Sequence, residues 1–171
     1  FFDNPTSSMV VVRCEPWQYG NKSFLIGDSA HALVPLYGQG MNAGFEDCKV
    51  FNDMLEKYAG DWEQILNEYQ KERIPNGNAI SDLALHNFIV MRDGVTDPKF
   101  LLQKKIEAKI HADFPEKWTP LYSMVTFSHI PYSEAQKIGK KQDQIMAQVL
   151  AIPEVENKWK EMDFSRFVKQ L

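Results

Sequence analysis

The chain has 171 residues, 44% of them hydrophobic, 12% aromatic and 25% charged, enough apolar surface to exclude disorder and to build one domain with a sizeable core. Its net charge of -4, with no Lys/Arg-rich stripe, argues against a nucleic-acid groove, and no apolar run approaches the ~20 residues a bilayer requires. Cys14 and Cys48 lie far apart with no CxxC and no His at ligand spacing, so neither a disulfide framework nor a zinc site is expected, and reduced thiols are the default.

In chain order, residues 9–14 (MVVVRC) are short and β-branched and predict a buried strand. Residues 15–21, with Pro16, Gly20 and Asn21, predict a turn, and residues 23–26 (SFLI) a second strand stopped by Gly27-Asp28. Residues 29–40 hold Pro35 and two glycines and predict a loop. From Met41 to about Tyr58 the period becomes helical, with Met41, Phe45, Cys48, Phe51 and Leu55 covering much of one face. Helices are expected from about Asp61 to Arg73, ending before Pro75, and from about Asn78 to Arg92. Asp97-Pro98 is an N-cap followed by proline at the first helical position, opening a helix to about Ala112. Pro115 and Pro120 break the chain, residues 133–150 form a long amphipathic helix, and the 153–171 tail forms one more short one.

The expected class is therefore α/β, in the sense of an α+β fragment: few strands at the N-terminal end, then a mainly helical region. Two strands make only a marginal sheet in water. Their partners are expected upstream, and a start at Phe1-Phe2-Asp3 without methionine agrees with a fragment or processed product.

The chemistry concentrates in Phe24–His31 and Pro35–Gly44. A buried strand that delivers Asp28 at its C-terminal end puts a carboxylate where open α/β sheets bind ligands, and there it can accept hydrogen bonds from neighbouring hydroxyls. Gly38 and Gly40 allow a flat ligand to approach the backbone. Met41 and Asn42 then open a helix whose free N–H groups and dipole favour electron-rich atoms. The plainer reading is an Asp that caps a turn beside a glycine loop that only turns the chain. Gly38-x-Gly40-x-x-x-Gly44 has the wrong spacing for a dinucleotide fingerprint and no strand before it. His31 reads as a structural hydrogen-bonder more readily than as an acid/base group.

Gly27-Asp28-Ser29-Ala30-His31, followed by Pro35 and Gly38-Gln-Gly40-Met-Asn42, resembles the second flavin motif of the flavin-dependent aromatic hydroxylases, with Ser29 in place of an alanine. The longer run GQGMNAGFEDC (Gly38–Cys48), then RIP (Arg73–Pro75), AISDL (Ala79–Leu83), PLY (Pro120–Tyr122) and MVTFS (Met124–Ser128), resembles the kynurenine-hydroxylating branch of that family over about residues 9–135.

The resemblance implies the C-terminal part of a FAD-dependent aromatic hydroxylase fold. Residues 1–22 would end the substrate-domain sheet, 23–60 would be the C-terminal part of the FAD-binding domain (strand, Gly-Asp loop, helix), and 61–171 a helical region covering the substrate site. It implies that Asp28 binds the ribityl chain of FAD and that Gly40, Met41 and Asn42 face the pyrimidine end of the isoalloxazine. Leu36, where the family more often has an aromatic residue, Tyr37 and Gln39 would line the face where flavin and substrate ring meet. Asn87 falls on an apolar helix face with Ile80, Leu83, Ala84 and Met91, where a primary amide must be paired. By itself that suggests a helix–helix hydrogen bond; the resemblance implies a contact to the substrate's amino-acid end. Tyr122 alone reads as a core or interface tyrosine, and by resemblance its hydroxyl reaches the substrate carboxylate.

The implied reaction is hydroxylation of L-kynurenine with NADPH and dioxygen, reduced flavin adding oxygen at C4a and delivering it from the hydroperoxide. No nucleophile, catalytic side chain or metal is called for. The glycine fingerprint that grips the FAD pyrophosphate is absent from these residues, so the chain is expected to be inactive without an N-terminal portion of the same enzyme. By resemblance the enzyme sits on the mitochondrial outer membrane facing the cytosol, through an anchor outside these residues. The alternatives are another flavin hydroxylase with a phenolic substrate, or a non-catalytic module docking through the 133–150 helix and the aromatic tail. Glu46 and Asp47 read as structural acids favouring a helix dipole, Arg92 as a surface arginine, Lys104-Lys105 and Lys140-Lys141 as solvated faces, and Met91, Met124 and Met146 as core filler.

Overall fold

The computed structural model describes residues 2–6 and 8–171. Phe1 and Ser7, two positions of the segment read as the end of a sheet, lie outside the described residues. Among the described residues two short strands come first, β1 (Gln18–Tyr19) and β2 (Ser23–Phe24), followed by eight α-helices: α1 (Asp28–His31), α2 (Gly40–Tyr58), α3 (Trp62–Ile89), α4 (Pro98–Asp113), α5 (Leu121–Phe127), α6 (Tyr132–Leu150), α7 (Val155–Lys158) and α8 (Ser165–Val168), with a π-helical turn at Val90–Gly94 after α3. Contacts divide the chain into Phe1–Phe88 and Ile89–Leu171.

In the first unit β1 and β2 pair antiparallel, Gln18 opposite Phe24 and Tyr19 opposite Ser23, around a turn in which Gly20 takes φ 55°. Residues 15–21, expected as a turn alone, therefore contribute a strand, and the second strand is shorter than 23–26. The expected buried strand at 9–14 is absent: these residues have no ladder partner, and Val10 is 64% exposed. A β-branched run forms a strand only where a neighbouring edge accepts its hydrogen bonds. Here the segment is held by side chains instead, by Arg13 to Asp82 and by Trp17 Nε1 donating to the Cys14 carbonyl (2.9 Å).

The core of this unit gathers Trp17, Ala30, Met54, Ile65 and Tyr69, with Phe24 and Phe51 packed against it. Phe24 stacks on Phe51 at 4.8 Å, and Tyr69 meets both rings edge-on. Such pairs add about 0.5–1.5 kcal/mol each beyond their buried area.

Helix α3 overturns the expected break before Pro75: it runs unbroken from Trp62 to Ile89 with Pro75 inside. A proline there removes one ladder bond, to the Lys71 carbonyl, and crowds the preceding turn, at a cost of about 3 kcal/mol. Against that stands a buried stripe of Ile65, Leu66, Tyr69, Ile80, Leu83 and Ala84, each large member contributing about 1.5–3 kcal/mol. Side chains also reinforce the ladder, Asn76 Nδ2 donating to Glu72 O (3.0 Å) and Ser81 Oγ to Gly77 O (2.8 Å). Beyond Ala84 the stripe loses its cover, and Met91, expected as core filler, is 60% exposed.

Gly77 allows the closest approach in this unit. A Cβ there would stand 2.9 Å from the Trp17 ring and 3.2 Å from His31 Cβ, and neither buried side chain can yield easily. Gly77→Ala should therefore destabilise by about 1–3 kcal/mol, despite a gain of up to ~1 kcal/mol in helix propensity. A shift of the urea midpoint to higher concentration would contradict this.

In the second unit, the Asp97 side chain accepts from Lys99 N (2.9 Å) and caps α4, with Pro98 at its first position. Helix α6 begins at Tyr132, one residue before the expected 133. The sequence reading contained no helix between Pro115 and Ser133, where α5 forms directly after Pro120. The tail forms two single-turn helices, α7 and α8, rather than one. Its apolar residues are not displayed: Val155, Phe164, Phe167 and Val168 join Ile106, Ile110, Trp118, Ile145, Met146 and Val149 in one core. Met124 and Met146 are buried, as core filler should be. No helix among the described residues is long and apolar enough to cross a membrane.

Candidate functional site

Asp28 opens α1, a single helical turn, rather than ending a strand; β2 stops four residues earlier. The turn is built by Gly27, whose φ of 61° and ψ of -140° suit glycine and strain any residue with a Cβ. The Gly27 carbonyl accepts from Ala30 N (2.9 Å) and His31 N (3.0 Å). Ser29, in the place of the family's alanine, donates from Oγ to Ile26 O (2.7 Å) and accepts from Ile26 N (3.2 Å). Asp28 itself is exposed, and among the described residues its carboxylate takes no hydrogen bond or ion pair.

Helix α2 starts at Gly40 with no side-chain cap. Its first ladder bond runs from Ala43 N to Gln39 O (2.9 Å), so the N–H groups of Gly40, Met41 and Asn42 precede the ladder, as in any helix start. A Cβ built on Gly38 or Gly40 meets nothing within 4 Å, which leaves the backbone bare on that side. Asp28, Leu33, Val34, Pro35, Gly38, Gly40 and Met41 line one open cleft of about 470 Å³. It thus puts a hydroxyl-accepting carboxylate and an uncapped, dipole-positive helix start in the lining of one space, together with Leu33, Val34 and Pro35.

Of the other predicted residues, Asn42 is exposed and donates from Nδ2 to Oε1 of buried Gln39 (3.0 Å). Leu36 and Tyr37 are half-buried in the loop between α1 and α2. Asn87, half-buried on α3, donates from Nδ2 to the Leu36 carbonyl (2.7 Å); it braces this loop rather than another helix. Tyr122 belongs to the second unit, where it is 54% exposed and meets Phe127 edge-on at 6.1 Å.

The sequence reading missed what fixes the turn. Asp47, fully buried on α2, lies beyond the helix's first turn and does not serve the dipole. Its Oδ2 accepts from Gly27 N (2.9 Å) and faces His31 Nε2 at 2.6 Å, and its Oδ1 accepts from Arg73 Nε (2.7 Å). The Arg73 guanidinium, equally buried, also reaches Glu46 Oε2 (3.0 Å) and the Ala43 carbonyl (3.4 Å). Burial pushes the Asp47 carboxyl upward, but the His31 hydrogen bond and the Arg73 charge outweigh it, and its pKa falls below the usual aspartate value. Burial likewise opposes the charge on Arg73, yet Glu46 and Asp47 raise its pKa overall. Facing a carboxylate, His31 Nε2 carries the shared proton, which makes it the structural hydrogen-bonder the sequence suggested. Arg92 pairs with its neighbour Asp93 at the surface.

The cleft suits the riboflavin side of a flavin: the Asp28 carboxylate, the bare backbone of Gly38 and Gly40 and the first residues of α2 line one open space. Residues 5–84 match the FAD binding domain family. A kynurenine 3-monooxygenase of Christiangramia forsetii is 55% identical over 93% of this chain and 36% of its own length. That of Flavobacterium psychrophilum is 49% identical over the whole chain and 38% of its own length, and that of Sus scrofa 48% over 79% and 29%. The chain thus spans roughly a third of the length of the curated relatives it matches.

Proposed function

The chain belongs by sequence among the homologues of kynurenine 3-monooxygenase, and on that premise we propose that it supplies the riboflavin-facing part of the FAD site, with part of the substrate site, in an NADPH-dependent hydroxylase that converts L-kynurenine and dioxygen to 3-hydroxy-L-kynurenine. The cleft that joins Asp28 to the start of α2 carries the proposal. Bound FAD supplies the redox chemistry that activates dioxygen with electrons from NADPH. Asp28 accepts from the ribityl hydroxyls, while the N–H groups of Gly40, Met41 and Asn42 favour negative charge at the pyrimidine edge. Leu36, Tyr37 and Gln39 belong to the loop over the reacting ring and help to keep water from it. Asn87 orients the substrate's amino-acid end; for Tyr122, on the second unit, the family resemblance alone supports a hydrogen bond to the substrate carboxylate.

In this reading an N-terminal portion of the same enzyme grips the FAD pyrophosphate, and the chain alone turns over nothing. The intact enzyme should purify yellow, oxidise NADPH faster when L-kynurenine is added, and release 3-hydroxykynurenine. A colourless preparation would defeat the flavin assignment, whereas stimulation by a phenolic acid and not by kynurenine would move the enzyme to a different hydroxylase. The chain alone should retain no flavin until the remaining portion is added back; full-affinity flavin binding without it would count against the division of labour.

A further inference from the structure

Helix α2 forms one wall of the cleft at Gly40 and, about two turns and ~10 Å further along the same rigid axis, carries Asp47. Asp28, which lines the same cleft, rides on α1. One carboxylate oxygen, Asp47 Oδ2, takes both the Gly27 N–H (2.9 Å) and His31 Nε2 (2.6 Å), the two residues that bracket Asp28 in the turn. The turn is closed on itself through Gly27 O, so gripping its two ends fixes the orientation of all of it. Asp47 cannot rotate away, because its other oxygen is held by Arg73 from α3 (2.7 Å) and the whole group is sealed from water.

We propose that Asp47 is a positioning residue for FAD: it sets the spacing between Asp28 and the start of α2, and so the fit of the cleft to the ribityl chain and the ring edge together. This rests on the flavin reading given above. Asn at position 47 keeps the shape of Asp but turns an amide N–H toward the Gly27 N–H if it continues to accept from Arg73, so the turn loses its Gly27 tie while α2 and Asp28 stay chemically intact.

The test uses the intact enzyme with Asp47→Asn, Asp28→Ala and His31→Leu, reading the FAD dissociation constant of the folded apoenzyme, the visible flavin spectrum and the melting temperature with and without FAD. Asp47→Asn should weaken FAD about ten- to a hundredfold, the scale of a misplacement near 1 Å, and shift the flavin absorption envelope. A lowered melting temperature with unchanged FAD affinity and spectrum in the folded protein would overturn the proposal. If Asp47→Asn does not fold, His31→Leu decides: removing one of the two ties should weaken FAD in the same direction and by less, and unaltered affinity would overturn it. Loss of FAD in Asp28→Ala alone would leave the flavin reading standing and refute only the positioning role; indifference of all three variants to FAD would sink both.

Discussion

Arg73→Met should destabilise the first unit by about 3–5 kcal/mol, the cost of leaving a buried charge without its counterion. Methionine keeps most of the volume, so the loss would be electrostatic, and it follows from particulars: Asp47 has no exposed surface, and the permanently charged Arg73 is held against it with Nε at 2.7 Å. Leaving Asp47 charged strands it in a dry interior; protonating it weakens what it accepts from Gly27 and His31. Chemical denaturation of the variant against the parent measures the difference, and a change below 1 kcal/mol would mean that water reaches the pair. The pH dependence has a definite sign. The folded-state pKa of Asp47 lies below the ordinary value of 3.8, so its contribution is fully present above that value and is lost as the pH falls through the lower folded-state value. The stability gap between the parent and Asp47→Asn should accordingly hold constant from neutral pH to about pH 4 and close only below it.

Asp28→Ala carries the other large effect. Its carboxylate takes no hydrogen bond or ion pair among the described residues and faces the cleft, so its removal should cost little folding stability, within ±0.5 kcal/mol as for other exposed positions. On the flavin reading it would instead remove a carboxylate acceptor for ligand hydroxyls, and hydrogen bonds to charged groups are the strong ones. On the proposed function, FAD affinity of the intact enzyme should drop by about a hundredfold, with excess FAD restoring occupancy of the site. Equilibrium dialysis of the apoenzyme provides the number. Unchanged affinity would place the ribityl chain elsewhere.

The helices with chemical punctuation were legible in the sequence: Asp97-Pro98 announces α4, and the amphipathic spacing of α2 and α6 locates both to within a residue or two. Proline misled twice. At Pro75 burial on both sides of one residue outweighs a single lost ladder bond, and after Pro120 the ring's fixed φ starts a helix instead of ending structure. The 9–14 run shows the limit of β-propensity, which describes what a strand would pack against and not whether a partner is present.

For the site, Asp28 and the glycine-led start of α2 could be read locally because they are close in the chain. The Asp47–Arg73 anchor joins residues from two helices and leaves only an indirect signal. Asp47 falls in the stripe Ala43, Asp47, Val50, Met54, and Arg73 in the stripe Leu66, Tyr69, Arg73, Ile80. Two opposite charges, each embedded in an apolar face, can be buried only by meeting each other.

The unbroken course of α3 through Pro75 has a consequence for which changes of length the chain tolerates. Arg73 and Asn87 sit on one rod about 21 Å apart, one securing the start of the α1–α2 loop through Asp47 and the other holding its middle at Leu36. A residue inserted between them would swing Asn87 by about 100° and advance it by ~1.5 Å, tearing the loop from one support or the other. Insertions and deletions should therefore be barred from this stretch while the Gly20–Lys22 turn accepts them freely.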